Sequence, residues 1–338
     1  MSVHLFGISD RTYSYSHSVG RNEFAGTGFR NPVDFVCSSD DTLYVLNRSY
    51  ESRNDGIHIT VATLDEQYIT EFGTYGEGEG QWVWPAGIAI DSDDQLYITD
   101  EYLNRITIYD TDGDYIGTWG NSGSGDGELS GPTGITISGD SAYVVDSKNH
   151  RVQIFGLDGS YKGQFGGFGT DTGQFNMPWG IAASADGIIY VTDWRNDRVQ
   201  GFDTEGTWQL SFGSSGDSYG KFNRPTGIGV DAQGDIYVCD WMNNRVQSFA
   251  PDGRYIAQFL GDHKLSGWGK DKLMSNQDMI RQRALAYSID PDYETRLAHP
   301  DAVKVNADGK IMISDSTRGR IQVYQKHSDP IAAFAAEV

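Results

Sequence analysis

A proline recurs along the chain at a nearly constant interval, and this repeat constrains the fold more than any other feature. The recurrent residues are Pro32, Pro85, Pro132, Pro178, Pro225 and Pro300, at spacings of 53, 47, 46, 47 and 75 residues. Four short runs of β-branched and aromatic residues follow them, separated by turn-forming residues, and such runs are typical of strands. A period near 47 with four strands per unit is typical of a propeller blade. The sequence therefore predicts an all-β fold, a six-bladed β-propeller of four-stranded blades.

The N-terminal segment bears on how such a ring closes. In five places a Gly at the end of a fourth strand precedes the next Pro by 12 residues, and the first of these is Gly20 before Pro32. Residues 12–20 therefore read as a fourth strand that lies ahead of the first blade and closes the ring on the last one. Phe334 near the C-terminus competes for that place, and we favour the N-terminal segment. We expect residues 1–338 to form one propeller domain, which this length allows.

An Asp and an Arg five residues apart recur in most copies of the repeat. The pairs are Asp100 with Arg105, Asp146 with Arg151, Asp193 with Arg198, Asp240 with Arg245, and Asp315 with Arg320. Because the Asp ends the second strand and the Arg opens the third, the two side chains face each other across one turn. We predict ion pairs that support the scaffold. A functional site is normally a local break in such a pattern rather than part of it.

The repeated sequences Pro-x-Gly-Ile, Tyr-Val-Thr-Asp and Asn-x-Arg-Val-Gln resemble NHL repeats, and the resemblance covers nearly the whole chain. It implies a six-bladed propeller without specifying one function. Proteins of this kind include protein-interaction modules, RNA-binding modules and the amidating lyase that cleaves peptidyl-hydroxyglycines, and related propellers include calcium-dependent lactonases. The metal-binding His pattern of the amidating lyase is not matched in this sequence.

Two stretches break the repeat. The first blade carries Asn47 and His58 where the others carry Asp and Arg, and its intervening loop is six residues longer. The second break is an insertion of 27 residues between blades 5 and 6, within residues 262–298, where Lys272 to Tyr287 predicts a short amphipathic helix. Both breaks fall on one face, around the mouth of the central channel. The insertion is therefore a candidate lid, or alternatively a contact between copies of the chain.

The residues expected at this mouth differ from blade to blade and combine Trp, Arg, acidic side chains and His. Aromatic walls with a few polar groups describe a small-molecule pocket, and they equally describe a protein-binding hot spot. The predicted substrate-binding residues are Arg48, Trp84, Glu101, Tyr102, Trp179, Trp194, Arg195, Arg224 and Trp241. The predicted catalytic residues are His299, Asp301, Tyr50 and His58. Imidazole can transfer protons near neutral pH, and an Arg can hold a carboxylate or an oxyanion.

A divalent cation, calcium or zinc, is the cofactor that these residues allow. The sequence has no His-x-Glu-x-x-His motif and no paired cysteines, so the usual zinc sites lack their ligands. Asp34 and Asp301 are the predicted ligands, since calcium prefers carboxylate oxygens. The Asn residues that calcium-dependent lactonases carry beside their Pro are replaced here by Ala86, Thr133, Trp179 and Thr226.

The composition limits the classes of partner that this protein is expected to bind. The net charge of −21 disfavours binding to a phosphate backbone, so nucleic acid is not expected as a partner. No apolar run approaches the ~20 residues of a membrane helix, and the N-terminus lacks the pattern of a signal peptide, so we expect a cytoplasmic protein without a membrane partner. Cys37 and Cys239 lie within strand runs and are predicted to be inert core thiols.

These observations favour a stand-alone propeller with a small-molecule pocket at the channel mouth. The preferred function is that of a lyase or hydrolase acting on an anionic or aromatic substrate. The alternative is a non-enzymatic propeller that binds a partner protein or peptide on the same face, or that assembles with further copies through residues 262–298.

Overall fold

A computed structural model describes residues 6–8, 11–23, 26–38, 40–49, 54–290 and 292–327. Their strands form six antiparallel sheets, and the predicted six-bladed propeller is confirmed. Blade 1 contains Pro32–Cys37, Thr42–Asn47, His58–Thr63 and Tyr68–Phe72. Blade 2 contains Pro85–Ile90, Gln95–Asp100, Arg105–Asp110 and Tyr115–Trp119, and blade 3 contains Pro132–Ser138, Ser141–Asp146, Arg151–Gly156 and Tyr161–Gly166. Blade 4 contains Pro178–Ala183, Ile189–Asp193, Arg198–Phe202 and Trp208–Phe212, and blade 5 contains Pro225–Val230, Ile236–Asp240, Arg245–Phe249 and Tyr255–Phe259.

Blade 6 joins the two ends of the chain. Its first three strands are Pro300–Val305, Lys310–Asp315 and Arg320–His327, and its outer strands are Arg11–Val19 and Phe6–Ile8. The segment Arg11–Val19 pairs antiparallel with Arg320–His327, which is the place expected for residues 12–20. Phe334, the competing candidate, lies outside the described residues.

Tyr13 anchors this N-terminal strand in the core. Its side chain is fully buried, and its ring lies edge-on to Phe259 and Tyr237, with ring centroids 5.0 and 6.3 Å away. Both partners belong to blade 5, so the strand also packs against the neighbouring blade. At the start of the strand, two residues before Tyr13, Arg11 Nε forms an ion pair of 2.7 Å with Asp235 Oδ2, again in blade 5.

Replacing Tyr13 by Ala should therefore destabilise the whole ring. Deleting a buried aromatic ring leaves a cavity as well as lost contacts, and we expect a loss of about 3–5 kcal/mol in the free energy of unfolding. Urea unfolding followed by tryptophan fluorescence measures this change. Tyr102→Ala is the control, because Tyr102 is 63% exposed and should cost less than about 0.5 kcal/mol. Equal losses for the two variants would mean that the strand does not close the ring.

Four of the five predicted Asp–Arg ion pairs form. The Arg Nε to Asp Oδ2 distances are 2.8 Å for Arg151 and Asp146, 2.9 Å for Arg198 and Asp193, 2.7 Å for Arg245 and Asp240, and 2.7 Å for Arg320 and Asp315. The fifth prediction was wrong, since Arg105 and Asp100 make no ion pair. Asp100 instead accepts several backbone N–H groups, including those of Val83 and Trp84. Arg105 donates only to backbone carbonyl groups of the preceding loop.

The inner strands approach each other too closely to leave an open channel. A Cβ atom on Gly180 would lie 2.3 Å from the carbonyl oxygen of Thr226, and one on Gly227 would lie 2.3 Å from that of Asp301. The cavity along the axis measures about 30 Å³, which is room for about one water molecule. Its charged lining side chains, Asp34, Asp301 and Lys304, all come from blades 6 and 1.

The insertion between blades 5 and 6 folds as helices α1 (Gly267–Met274) and α2 (Gln277–Ile289), which confirms a short helical segment there. A single helix over residues 272–287 was the expectation, and it was wrong. The chain breaks between the helices because the Asn276 side chain caps α2, accepting the Asp278 N–H at 2.9 Å. Neither helix, within the described part of the chain, is long and apolar enough to cross a membrane.

Helix α1 is attached to the outer edge of blades 6 and 1. Trp268 is buried against Phe29, with ring centroids 6.2 Å apart, and its carbonyl oxygen accepts a hydrogen bond of 2.6 Å from Arg21 Nη1. The Trp268 N–H donates to Glu66 at the hairpin of blade 1. Helix α2 has no buried residue. These contacts hold the insertion at the seam between the two blades, and a lid over the mouth stays a prediction from the sequence.

Candidate functional site

A pocket of about 250 Å³ lies at the mouth of the channel, on the face where the repeat breaks. Its lining residues are Asn31, Arg48, Trp179, Trp194, Thr226, Trp241, His299, Asp301, Ser316 and Thr317. Six of these were predicted site residues: Arg48, Trp179, Trp194, Trp241, His299 and Asp301. The structure therefore brings together the aromatic wall, one cation and the His–Asp pair expected at the seam of blades 6 and 1.

An unusual backbone turn aims several of these side chains at the mouth. The residue before the Pro that opens the first strand is left-handed in five blades. In blade 3 it is Gly131, and in the other four it is not a glycine, with φ of 50° at Asn31, 51° at Met177, 58° at Arg224 and 52° at His299. This conformation is uncommon outside glycine. A hydrogen bond from the preceding blade stabilises it: Asp197 Oδ1 accepts the Arg224 N–H at 2.8 Å, and Asn244 Oδ1 accepts the His299 N–H at 2.9 Å.

Arg48 presents a guanidinium group whose donors are only partly used. Its Cζ lies 4.6 Å from the centroid of the Trp84 ring, and its Nη1 lies 4.0 Å from Glu101 Oε2, beyond hydrogen-bond distance. Its Nε and Nη1 atoms are buried and have no hydrogen-bond partner. Burial lowers the pKa of Arg48 while the carboxylates of Asp301, Glu101 and Asp100 oppose the shift, and an Arg remains charged at neutral pH. The group is thus a desolvated cation with free donors.

Asp301 is the carboxyl group that faces this cation across the pocket. Burial raises the pKa of Asp301 to about 6, Arg48 and a hydrogen bond with Ser316 oppose the shift, and nearby Asp34 adds to it. The side chain therefore changes its charge near neutral pH. A carboxyl group in this range can donate or accept a proton under ordinary conditions, which is the property expected of an acid–base group.

Aromatic rings form the opposite wall. The Trp179 and Trp194 rings lie 6.1 Å apart at 35°, and the His299 imidazole lies 4.7 Å from the Trp241 ring, also at 35°. His299 Nδ1 is 3.2 Å from Thr317 Oγ1, and this contact orients the imidazole. Arg224 Cζ lies 4.4 Å above the Trp194 ring, so Arg224 backs the wall without lining the pocket.

Several predicted site residues lie elsewhere. His58 Nε2 is 3.9 Å from Glu71 Oε2 and burial lowers the pKa of His58, so this imidazole faces its own blade and does not reach the pocket. His58 occupies the third-strand position where the other blades carry a scaffold Arg, which explains why its side chain faces its own blade. Glu101 pairs with Lys148 at 3.3 Å. Tyr102 and Arg195 are exposed at the rim beyond the pocket lining, and Tyr50 lies outside the described residues.

The predicted cation site does not have the right donors. Asp34 Oδ1 accepts the Phe35 N–H at 2.9 Å and pairs with Lys304 at 3.1 Å, while its Oδ2 accepts the Ile88 N–H at 3.0 Å. Both oxygens are therefore occupied, and Lys304 supplies the positive charge that a cation would bring. Among the described residues, no three or more His, Cys, Asp or Glu side chains converge as metal ligands. The residues present do not fit a calcium or zinc ion.

The two cysteines are free thiols in the scaffold. Burial raises the pKa of Cys37 to about 12 and also raises the pKa of Cys239 well above its usual value. A thiol of such high pKa is a poor nucleophile at neutral pH. Neither residue lines the pocket, so a thiol-based reaction at this site has no support.

Comparison with known proteins agrees with this architecture. A 6-bladed β-propeller family model matches residues 88–166, and the NHL repeat model matches residues 175–202 and 222–249. No curated protein matches the sequence. Three similar solved structures are a Bacteroides thetaiotaomicron protein of unknown function, a streptogramin B lyase, and a virginiamycin B lyase from Staphylococcus aureus.

The similarity to these structures covers most of each chain at low sequence identity. The TM-scores are 0.63, 0.57 and 0.56, at 16%, 14% and 13% identity. The matches cover 94%, 96% and 93% of this chain, and 76%, 98% and 99% of the respective relatives. At such identities the likeness shows the fold alone. Together with the matched repeats, it identifies the chain as a six-bladed β-propeller that contains NHL repeats.

Proposed function

We propose that this propeller binds a small anionic molecule in the mouth pocket and acts on it by proton transfer, as a lyase or a hydrolase. One observation carries the proposal: the buried Nε and Nη1 donors of Arg48 have no hydrogen-bond partner. Leaving such donors unsatisfied costs about 1–3 kcal/mol or more for a charged group. A ligand carboxylate would satisfy one of these donors with a charge-assisted hydrogen bond.

Elimination is the reaction that these residues support best. With the ligand carboxylate on Arg48, His299 would take the proton from the adjacent carbon. The C–H electron pair becomes the new double bond, and the group on the next carbon departs with its own bond pair and a proton from Asp301. The Arg48 cation would stabilise the negative charge that develops on the carboxylate side. Streptogramin B lyase and virginiamycin B lyase give lyase chemistry a precedent on this fold.

The affinity for an anionic ligand should fall as the pH rises above about 6. Asp301 is neutral below its pKa of about 6 and negatively charged above it, so the ionised form repels the ligand. A bound anion raises the pKa of Asp301 further. The affinity should therefore drop by up to about tenfold per pH unit until the higher pKa of the complex is reached. Isothermal titration calorimetry between pH 5 and 8 measures this dependence.

Two variants show which group is responsible for this dependence. Asp301→Asn should bind with nearly constant affinity over the same range, because the amide does not ionise. His299→Gln should keep the decline, since Asp301 is intact. If the decline vanished in His299→Gln and persisted in Asp301→Asn, the imidazole and not the carboxyl group would control binding.

A protein- or peptide-binding propeller is the second candidate. The specific observation in its favour is the exposed apolar rim of the same face, where Tyr102 is 63% exposed and Met242 is 47% exposed. Such a function would use the rim and leave the pocket empty. Substituting both rim residues by Ser would then abolish partner binding, whereas small-molecule binding would be unaffected.

A further inference from the structure

The pocket presents hydrogen-bond acceptors as well as a cation, and this combination limits the chemical class of ligand that it can bind. The Thr226 hydroxyl donates to the carbonyl oxygen of Pro300 at 3.2 Å, and the Ser316 hydroxyl donates to that of Pro32 at 2.7 Å. Ser316 also interacts with Asp301 and with Ser314, whose Oγ atom lies 3.4 Å from its own. The Thr226 hydrogen is committed to the backbone, so the Thr226 oxygen can only accept a further hydrogen bond and calls for a donor group on the ligand.

A simple aromatic acid has no such donors. Benzoate or phenylacetate could accept a hydrogen bond from Arg48, but neither could donate one to the Thr226 oxygen. Asn31 and Thr317 add two more polar side chains to the same lining. A ligand that carries several hydroxyl groups together with its carboxylate would satisfy these groups.

The size and the aromatic wall fit one saturated ring. The volume of about 250 Å³ lies below the range of about 300–1,000 Å³ that is usual for drug-sized ligands. The tilted Trp179 and Trp194 rings offer apolar surface for the C–H face of such a ring, while its hydroxyl edge meets the polar side chains.

We propose that the ligand is a monosaccharide-sized sugar acid, a hexuronate or close relative, with its carboxylate on Arg48, a hydroxyl group on Thr226, and one ring face on the Trp wall. This inference rests on the proposed anion-binding function and specifies its substrate class. It concerns recognition alone and holds whether elimination or hydrolysis follows.

The test is a binding panel on the full chain at pH 5.5. The probes are D-glucuronate and D-galacturonate as sugar acids, D-glucose as a neutral sugar, and benzoate and phenylacetate as aromatic acids. Isothermal titration calorimetry reports affinity, and quenching of tryptophan fluorescence reports occupancy of the pocket. We expect at least one hexuronate to bind tenfold or more tighter than D-glucose and than both aromatic acids.

Two matched variants distinguish a loss of hydroxyl recognition from a loss of protein stability. Thr226→Val removes the acceptor with little change in shape and should weaken hexuronate binding about tenfold. Thr133→Val is the control, because Thr133 holds the same repeat position in blade 3 and donates to Trp179 O at 2.8 Å but does not line the pocket. It should leave binding unchanged. Thermal denaturation of both variants shows whether the lost scaffold hydrogen bond costs them similar stability.

The outcomes distinguish the two proposals. If an aromatic acid binds more tightly than either hexuronate, or if Thr226→Val and Thr133→Val behave alike, the sugar-acid inference is overturned and the anion pocket stands. If no carboxylate in the panel binds at millimolar concentration, or if Arg48→Met binds them all equally well, the anion pocket itself is wrong and both proposals fall.

Discussion

Replacing Arg48 by Met should reduce the affinity for an anionic ligand by about 100-fold or more, which corresponds to about 2.7 kcal/mol. The ligand would lose a charge-assisted contact in a desolvated site, and such contacts are among the strongest hydrogen bonds in proteins. The stability of the propeller should stay the same or rise slightly. The guanidinium is buried with Nε and Nη1 unpartnered, so the folded ligand-free protein gains little from it.

A large loss of affinity without a loss of stability is expected for a ligand-binding residue and not for a structural residue. Calorimetric titration measures the affinity, and urea unfolding measures the stability of the same preparation. Arg195→Met is the matched control, because Arg195 is exposed at the rim with its Cζ 5.6 Å from the Trp194 ring. It should change the affinity less than about threefold, as expected of an exposed charge. A stability loss above about 2 kcal/mol in Arg48→Met would show that the residue serves the scaffold.

Replacing Arg245 by Met should lower the free energy of unfolding by about 3–5 kcal/mol, because it leaves Asp240 buried without its ion-pair partner. Asp240 is fully buried, and Arg245 Nε lies 2.7 Å from its Oδ2. Burial already raises the pKa of Asp240, while hydrogen bonds from the Asn223 N–H, Asn243 and Arg245 oppose the shift. Removing the Arg would raise this pKa further and weaken the fold most at neutral and higher pH, where the carboxylate is ionised.

Blade 2 supplies the control for this experiment. Arg105 occupies the same repeat position and donates to the carbonyl oxygens of Glu77, Gly78 and Gln81, but it makes no ion pair with Asp100. Arg105→Met should therefore cost only about 1–2 kcal/mol, the value of the lost backbone contacts. Urea unfolding of both variants at pH 7.5 gives the comparison. Equal losses would mean that the Asp–Arg contact contributes nothing beyond the hydrogen bonds to the loop.

The fold could be predicted because the same physical pattern is repeated six times. Each copy places apolar strand residues and turn residues in one order, and five of the six add a buried Asp at the same position, so an unclear reading of one copy can be corrected from the others. The insertion occurs once in the chain, so no second copy of its sequence can correct a wrong prediction of its structure. A single helix was expected there because the apolar spacing continues past Ser275, whereas capping by Asn276 ends one helix and starts another.

Residues that line the mouth pocket could be predicted where side chains depart from the repeat and were missed where they follow it. Arg48, His299 and Asp301 stand out because no other blade carries them at their positions. Thr226 follows the blade Pro as Thr133 does, so nothing in its sequence context separates a pocket residue from a scaffold residue. His58 stands out in the same way as Arg48 but faces Glu71, because a break in a repeat marks a position and does not fix the direction of the side chain.

Among the described residues, the closely packed inner strands leave the mouth as the passage between the pocket and the solvent along the propeller axis, since the axial cavity of about 30 Å³ has room for about one water molecule. Whatever enters must leave by the same opening. For a reaction in this pocket, the product has to depart before the next substrate molecule arrives, and both compete for the same empty protein. Product inhibition would then be competitive, and accumulated product would slow turnover even at constant substrate concentration.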